Sequence, residues 1–268
     1  MSGILHPKGP SFIYTYFLFK KMKIYFSILL FYNLIFKSLS LLALPENNTD
    51  QIILVVPPKY EATDATLYYF LKNGEKWEKY LEVPAYIGLK GLGKEKEGDK
   101  KTPVGEYKFN EYFGIEDNPG TNLPYIKVNN SHYWDGDSYS DHYNKLVNYE
   151  IYNDFNTSDS EHLIDVDPGY EYAININYNE ECTPFKGAGI FLHCFTGRTY
   201  TAGCVSIHKD NMVKLYKKLS ENCIIVINTE EKLDDFYLNL ISTKSFGGNY
   251  IKNNKNWILG LLLIIAFI

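Results

Sequence analysis

The residues most suited to chemistry are a histidine and a cysteine within the segment 190–207. His193 follows an apolar run, GAGIFL, and Cys204 lies eleven residues later within TAGCVSI. A histidine beside a cysteine can remove the thiol proton, and the resulting thiolate attacks acyl carbon atoms. A helix N-terminus also favours a thiolate, and residues 210–222 have helical apolar spacing. The pattern therefore predicts a Cys–His acyl-transfer site with Cys204 just before a helix.

The elements around these residues must position them, and the apolar patterns predict a domain built mainly of β-strands. The sequence contains 24 tyrosines and 16 phenylalanines, which favour strands over helices. Asn73 and Gly74 separate two apolar runs within 66–88, which is a strong signal for a β-hairpin. One amphipathic helix is predicted, over 210–222. Further strands are predicted at 51–57, 106–115, 171–179, 187–195 and 223–229.

The remaining segments of the predicted domain are polar or rich in glycine. Residues 116–170 are rich in Asn, Asp, Ser and Tyr, which predicts a long polar insertion or lid. The glycine-rich segment 88–105 lacks the strand-then-helix setting of a phosphate-binding loop, so no nucleotide cofactor is expected. We predict a catalytic domain over 45–235, followed by a linker and polar spacer over 236–256.

Both ends of the sequence have the composition of targeting segments. Residues 1–44 combine lysines, an apolar stretch and small residues, which predicts an N-terminal extension with a secretory signal; a retained signal anchor is the alternative. The apolar tail 257–268 follows small residues and a polar spacer, as in a GPI-attachment signal, with a short tail anchor as the alternative. Sequons for glycosylation lie at Asn47, Asn129 and Asn156. We therefore expect a secreted or cell-surface glycoprotein that meets a membrane only through its ends.

Charge and hydropathy exclude two classes of protein. The net charge of −5 excludes a nucleic-acid-binding protein, because binding to nucleic acid requires a basic surface. Residues 1–44 contain five lysines and no acidic residue, so the rest of the chain is more acidic than the whole. The mean hydropathy of −0.25 excludes a polytopic membrane protein.

The four cysteines of the sequence allow two interpretations. They are Cys182, Cys194, Cys204 and Cys223, and an exported chain would oxidise an even number of them to disulfides. The alternative is a free reactive thiol. A Cys182–Cys223 bond is one pairing, whereas a Cys194–Cys204 bond would silence the site and is therefore either absent or a redox switch. The C-x2-C spacing typical of zinc sites does not occur, so no metal is expected.

Two sequence blocks together resemble a known enzyme family. IFLHC and TAGCVSI resemble the active-site block of the L,D-transpeptidase (YkuD-type) family, in which a strand ends in histidine and a loop leads to Ser/Thr-x-Gly-Cys. GDKKTPVGEYKF, further upstream, resembles the family's Thr-Pro-x-Gly stretch, which precedes a strand. The resemblance spans about residues 50–230. It implies a mainly β, sandwich-like catalytic fold with one helix after the catalytic cysteine.

The resemblance also implies roles for individual residues. Cys204 would form a thioester with the acyl group of a peptidoglycan stem peptide, with His193 as its base and the backbone around Gly203 as the oxyanion site. The backbone carbonyl of Cys194 is expected to orient His193, and Thr201 matches the family's Ser/Thr on the substrate side. The acyl group would pass to an amine, as in an L,D-transpeptidase, or to water, as in an L,D-carboxypeptidase. A binding module that retains the fold without turnover is a further alternative.

The sequence departs from the family pattern near the cysteine. Ala202 stands where many members have histidine, and Ser206 where many have arginine or asparagine. Arg198, the only arginine of the chain, could replace the missing cation and bind a substrate carboxylate with two hydrogen bonds; a solvated loop charge is the alternative. Trp134 is expected either to line the substrate groove or to pack within the domain.

Overall fold

The structure is a computed structural model that describes residues 48–242 and the backbone of 245–247. The chain divides into two compact units, Met1–Asn47 and Asn48–Ile268. The second unit contains both sequence blocks of the predicted site.

Several of the predictions about the chain ends fall on residues that the structure does not describe. These are the secretory signal within 1–44, the apolar tail 257–268 and most of the spacer 236–256. Within the described part of the chain, no helix has the length and apolar character needed to cross a membrane.

Strands dominate the described residues, as the aromatic-rich sequence predicts. The predicted hairpin is confirmed, because its two strands pair in antiparallel fashion on either side of the Asn73–Gly74 turn. In chain order the elements are β1 (Gln51–Val56), β2 (Asp64–Asn73), β3 (Lys76–Tyr86), β4 (Gly105–Gly114), β5 (Tyr125–Lys127), β6 (His132–Trp134), β7 (Leu146–Asn148), β8 (Glu161–His162), β9 (Ala173–Ile176), β10 (Phe191–Cys194), β11 (Val205–Ile207), α1 (Lys209–Tyr216), β12 (Cys223–Ile227), α2 (Asp235–Ser242) and β13 (Ser245–Gly247).

The main sheet curls until its two ends meet. Its strands follow the order β11–β10–β9–β4–β12–β1–β2–β3–β13, with β5 beside β4. The sheet closes because β11 also pairs with β3 through Ser206 and Tyr86. Every second side chain of these strands enters one enclosed apolar cluster, which Met212, Leu215 and Tyr216 of α1 also fill. Removal of this apolar surface from water is the main stabilising contribution to the fold, and it fixes which face of each strand points outward.

The segment predicted as a linker begins with a helix that the sequence analysis missed. In α2, Phe236, Tyr237 and Leu240 pack against Ile52 and Leu54 on the outer face of β1. The helix has eight residues, so its stability comes from this packing rather than from helical propensity. The predicted domain boundary at 235 therefore cuts through an element that belongs to the folded unit.

The predicted polar insertion covers another part of the outer face. Within 116–170, the strands β6, β7 and β8 form a small separate sheet. Trp134 and Leu163 from this segment share a buried cluster with Phe191 and Cys204. The insertion is thus a packed cover over the predicted site and not an open polar loop.

Candidate active site

The pairing of β10 with β11 brings His193 and Cys204 to one face of the sheet. The two strands are parallel, with Leu192 opposite Val205. Because side chains alternate along a strand, Cys204, which directly precedes β11, points to the same side as His193. The two residues are offset by two positions along the strands, which corresponds to about 7 Å. This arrangement allows chemistry between them once the thiol turns toward the ring.

The histidine ring is oriented by a backbone carbonyl, as expected from the sequence. Nδ1 of His193 lies 2.8 Å from the carbonyl oxygen of Cys194. A carbonyl oxygen only accepts hydrogen bonds, so Nδ1 carries the proton and Nε2 keeps a lone pair. Burial lowers the pKa of His193 to about 4, although the carbonyls of Cys194 and Gly169 act in the opposite direction. At neutral pH the imidazole is therefore neutral and suited to accept a proton at Nε2.

The thiol of Cys204 is held between two backbone groups. It donates to the carbonyl oxygen of Gly189 and accepts from the N–H of Phe191, each at 3.3 Å. Burial, followed by the negative charge of Glu161, raises the pKa of Cys204 to about 12, while the Phe191 N–H and Lys94 lower it. At neutral pH Cys204 is thus a neutral thiol. Its hydrogen must leave the Gly189 carbonyl before His193 could accept it.

The expected helix N-terminus is not next to the thiol. The strand β11 and the residue His208 separate Cys204 from α1, which begins at Lys209. The prediction that a helix lowers the pKa of this thiol is therefore wrong, and burial raises that pKa instead. The sequence suggested a direct cysteine-to-helix transition because a three-residue strand is too short to show a periodic pattern.

The loop before Cys204 is fixed by Gly203 and Thr201. Gly203 has φ +150°, and a Cβ at this position would lie 2.9 Å from the carbonyl oxygen of Lys101. The hydroxyl of Thr201 accepts from the Gly203 N–H at 3.1 Å and donates to the Cys204 carbonyl at 2.6 Å. Thr201 therefore supports the backbone of Cys204, and its expected contact with substrate stays a prediction. The Gly203 N–H would have to exchange this bond to serve an oxyanion.

The upstream Thr-Pro-x-Gly block lies against the same loop. The buried hydroxyl of Thr102 accepts from the Gly88 N–H at 2.8 Å and donates to the Cys204 carbonyl at 3.5 Å. The N–H of Leu89 donates to the Thr201 carbonyl at 3.0 Å. The two sequence blocks thus contact each other, and Thr102 supports the backbone of Cys204. The resemblance identified this block but not the role of its threonine.

Arg198 and Trp134 lie in different surroundings from the thiol and histidine. Arg198 is exposed on the turn between β10 and β11, and its guanidinium forms no ion pair with the described residues. Trp134 is 1% exposed, packs its ring edge-to-face with Phe191, and donates from Nε1 to Asn144 Oδ1 at 3.1 Å. Of the two interpretations of Trp134, the structure supports packing rather than a groove lining.

All four cysteines are free thiols, so the Cys182–Cys223 disulfide is not formed. Cys194 points into the enclosed cluster, opposite to the face that carries Cys204, because neighbouring residues of a strand alternate. A disulfide bond between Cys194 and Cys204 would require β10 to rotate so that its inward and outward faces exchange. Among residues 48–242, no three His, Cys, Asp or Glu side chains are arranged to hold a metal ion.

An asparagine of the insertion, not predicted from the sequence as a site residue, is bonded to the segment that leads into β10. Asn144 has φ +60°, a conformation that asparagine tolerates better than most residues. Its Oδ1 accepts from Trp134 and from the Gly189 N–H at 3.0 Å. Its Nδ2 donates to the carbonyls of Tyr178 and Asn179, each at 3.1 Å. Asn144 thereby fixes Gly189, whose carbonyl accepts the thiol hydrogen.

The sequence matches the family model of the YkuD L,D-transpeptidase catalytic domain over residues 50–227. The chain belongs to this family. The match extends from β1 to β12 and contains both blocks that meet at Cys204. Comparison with curated proteins finds no match to the chain.

Solved structures similar to this L,D-transpeptidase domain come from several bacteria. Bd1075 of Bdellovibrio bacteriovorus is 24% identical over 67% of this chain and 48% of its own, with a TM-score of 0.36. The helical cell shape determining protein Pgp2 of Campylobacter jejuni is 18% identical over 70% of this chain and 50% of its own, with a TM-score of 0.38. An L,D-transpeptidase from Mycobacterium smegmatis is 14% identical over 66% of this chain and 58% of its own, with a TM-score of 0.30. The chain thus spans about half the length of the first two.

The buried histidine predicts a specific dependence of stability on pH. The folded-state pKa of His193 is about 4, below its ordinary value of 6.5, so the unfolded chain binds more protons between these values. The free energy of unfolding should therefore fall as the pH drops from 6.5 to 4, by up to about 3 kcal/mol from this residue. Urea unfolding across this range should give a smaller slope for His193→Gln than for the wild type. Equal slopes would contradict a buried neutral His193.

The asparagine network predicts a strong effect of a small substitution. Asn144→Asp replaces the amide donor by an oxygen that faces two carbonyl groups, and should lower the free energy of unfolding by about 3 kcal/mol. Asn144→Gly keeps the left-handed backbone conformation but removes all four side-chain hydrogen bonds, so its loss of stability would come from these bonds and not from backbone strain. Urea unfolding of both variants measures the difference. An Asn144→Asp variant as stable as the wild type would show that these hydrogen bonds are unimportant.

Proposed function

We propose that this domain is a cysteine acyltransferase acting on peptidoglycan stem peptides, with Cys204 as nucleophile and His193 as base. The observation that carries the proposal is the position of both residues on one sheet face, with the His193 ring held by the hydrogen bond between Nδ1 and the Cys194 carbonyl. Membership of the L,D-transpeptidase catalytic domain family supports the class of substrate.

The proposed reaction starts from the neutral Cys204 thiol and the neutral His193 imidazole. When a donor carbonyl approaches, the Cys204 Sγ–H proton passes to His193 Nε2, and a bond forms between the sulfur and the carbonyl carbon. The backbone around Gly203 stabilises the oxyanion. The intermediate collapses with cleavage of the C–N bond, and the departing amine takes the proton from His193. A thioester on Cys204 remains.

The second half of the reaction decides the name of the activity. Attack by an amine on the thioester gives a cross-linked product, as in an L,D-transpeptidase, while attack by water gives an L,D-carboxypeptidase. Both require the same Cys204 and His193. The L,D-transpeptidase reaction is our first choice because it is the activity that names the family.

The proposal includes export, because peptidoglycan lies outside the cytoplasm. The signal-like composition of 1–44 supports this location, and the tail 257–268 supports attachment at the cell surface. A GPI anchor would imply a eukaryotic host, in which the peptidoglycan would come from the walls of other organisms.

Incubation with a purified disaccharide-tetrapeptide tests the activity and separates the two outcomes. Chromatography and mass spectrometry should detect a cross-linked dimer together with the released terminal residue; release without a dimer would identify a carboxypeptidase. Cys204→Ala should remove turnover, and Cys194→Ala, which alters a thiol on the opposite face of β10, should retain most of it. Turnover that survives in Cys204→Ala would overturn the proposal, and no turnover in any protein would favour a binding module.

A further inference from the structure

A tyrosine of the polar insertion packs against His193 and holds a glutamate of the same insertion. The hydroxyl of Tyr170 donates to the Glu161 carboxylate. The ring of Tyr170 meets the ring of His193 at a centroid distance of 5.6 Å and an interplanar angle of 80°. Tyr170 also belongs to the buried cluster that contains Cys204. The pair therefore links an acidic group to both members of the site, and the reaction described above does not use it.

The carboxylate of Glu161 lies in partly desolvated surroundings. The residue is exposed, yet its carboxylate turns toward the buried Tyr170 hydroxyl. The surrounding protein displaces water and raises the pKa of Glu161, whereas the bond from Tyr170 lowers it. A negative charge in such partly desolvated surroundings acts on its neighbours more strongly than one in bulk water.

Lys94, whose positive charge lowers the pKa of Cys204, is partly neutralised by an ion pair. Lys94 is buried and lies 3.1 Å from the carboxylate of Asp99, with a further bond to the carbonyl of Lys96. Glu97, on the same loop, bonds to the hydroxyl of Tyr143 and adds a negative charge that acts on Glu161. After burial, the negative charge of Glu161 raises the pKa of Cys204, and Lys94 lowers it.

We propose that Glu161, held by Tyr170, is a positioning residue that keeps the Cys204 thiol protonated at rest and stabilises the protonated His193 during acyl transfer. A carboxylate disfavours a neighbouring thiolate but favours a neighbouring imidazolium. In the transition state the negative charge moves from sulfur to the substrate oxygen at the backbone around Gly203, while the positive charge stays on His193. The same carboxylate therefore opposes premature ionisation and assists the chemical step.

Substitution of Glu161 by glutamine gives two effects of opposite sign, which a merely structural role would not produce. Glu161→Gln should accelerate alkylation of Cys204 by iodoacetamide at pH 8 about three- to tenfold, because a change of one pKa unit alters the thiolate fraction about tenfold. The same variant should lower kcat for the disaccharide-tetrapeptide. Tyr170→Phe, which keeps the ring but releases the carboxylate, should give a smaller change in the same directions.

Two controls separate this charge effect from loosening of the fold. Glu171, the residue after Tyr170, accepts a hydrogen bond from Lys209 at 2.6 Å. Glu171→Gln removes this acidic group and should leave the rate of Cys204 alkylation unchanged. The alkylation of buried Cys194, measured by peptide mapping of the same samples, reports general opening and should also stay unchanged. Unaltered or slower alkylation of Cys204 in Glu161→Gln, or parallel acceleration at Cys194, would overturn the inference.

The kcat measurement rests on the proposed function, whereas the alkylation measurement does not. If the wild type shows no turnover, the alkylation rates still decide whether Glu161 controls the thiol. If turnover is present but Glu161→Gln changes neither rate, the acyltransferase proposal stands and the role of Glu161 is rejected.

Discussion

The parallel register between β10 and β11 is the constraint on which the site depends. With Leu192 opposite Val205, His193 and Cys204 share the outer face, while Cys194 is buried inside the closed sheet. A shift of one residue in β11 would send Cys204 into the enclosed cluster and bring an aliphatic side chain out in its place. Because that cluster is closely packed with apolar side chains, the hydrophobic core that stabilises the domain also places Cys204 and His193 on the same face.

The site is assembled on this register by hydrogen bonds from distant parts of the chain. The hydroxyls of Thr102 and Thr201 both donate to the Cys204 carbonyl, and Asn144 fixes the segment whose carbonyl accepts the thiol hydrogen. These contacts place a neutral thiol and a neutral imidazole in buried surroundings. In the proposed reaction, such a pair would resist ionisation until a substrate carbonyl group can take up the negative charge. Burial therefore keeps both the thiol and the imidazole neutral in the absence of substrate.

The parts of the structure that local sequence determines could be predicted, and those that depend on tertiary contacts could not. The Asn73–Gly74 hairpin follows from turn chemistry, and the Cys204–His193 pair follows from residue types and family resemblance. The helix α2 was missed because its stability comes from packing on β1. Thr201 was assigned to the substrate because a hydroxyl beside a nucleophile gives no sequence signal for the direction in which it points. Only the folded loop shows that this hydroxyl bonds to the protein backbone.

The central claim is that Cys204 is the residue that becomes acylated, with His193 as its base. The most direct measurement is intact mass spectrometry, followed by peptide mapping, after exposure of the domain to a carbapenem, which acylates reactive active-site nucleophiles. The account predicts one stable adduct per chain, located on Cys204, that forms much more slowly in His193→Ala. An adduct on another residue, or equal acylation of Cys204 with and without the histidine, would contradict it.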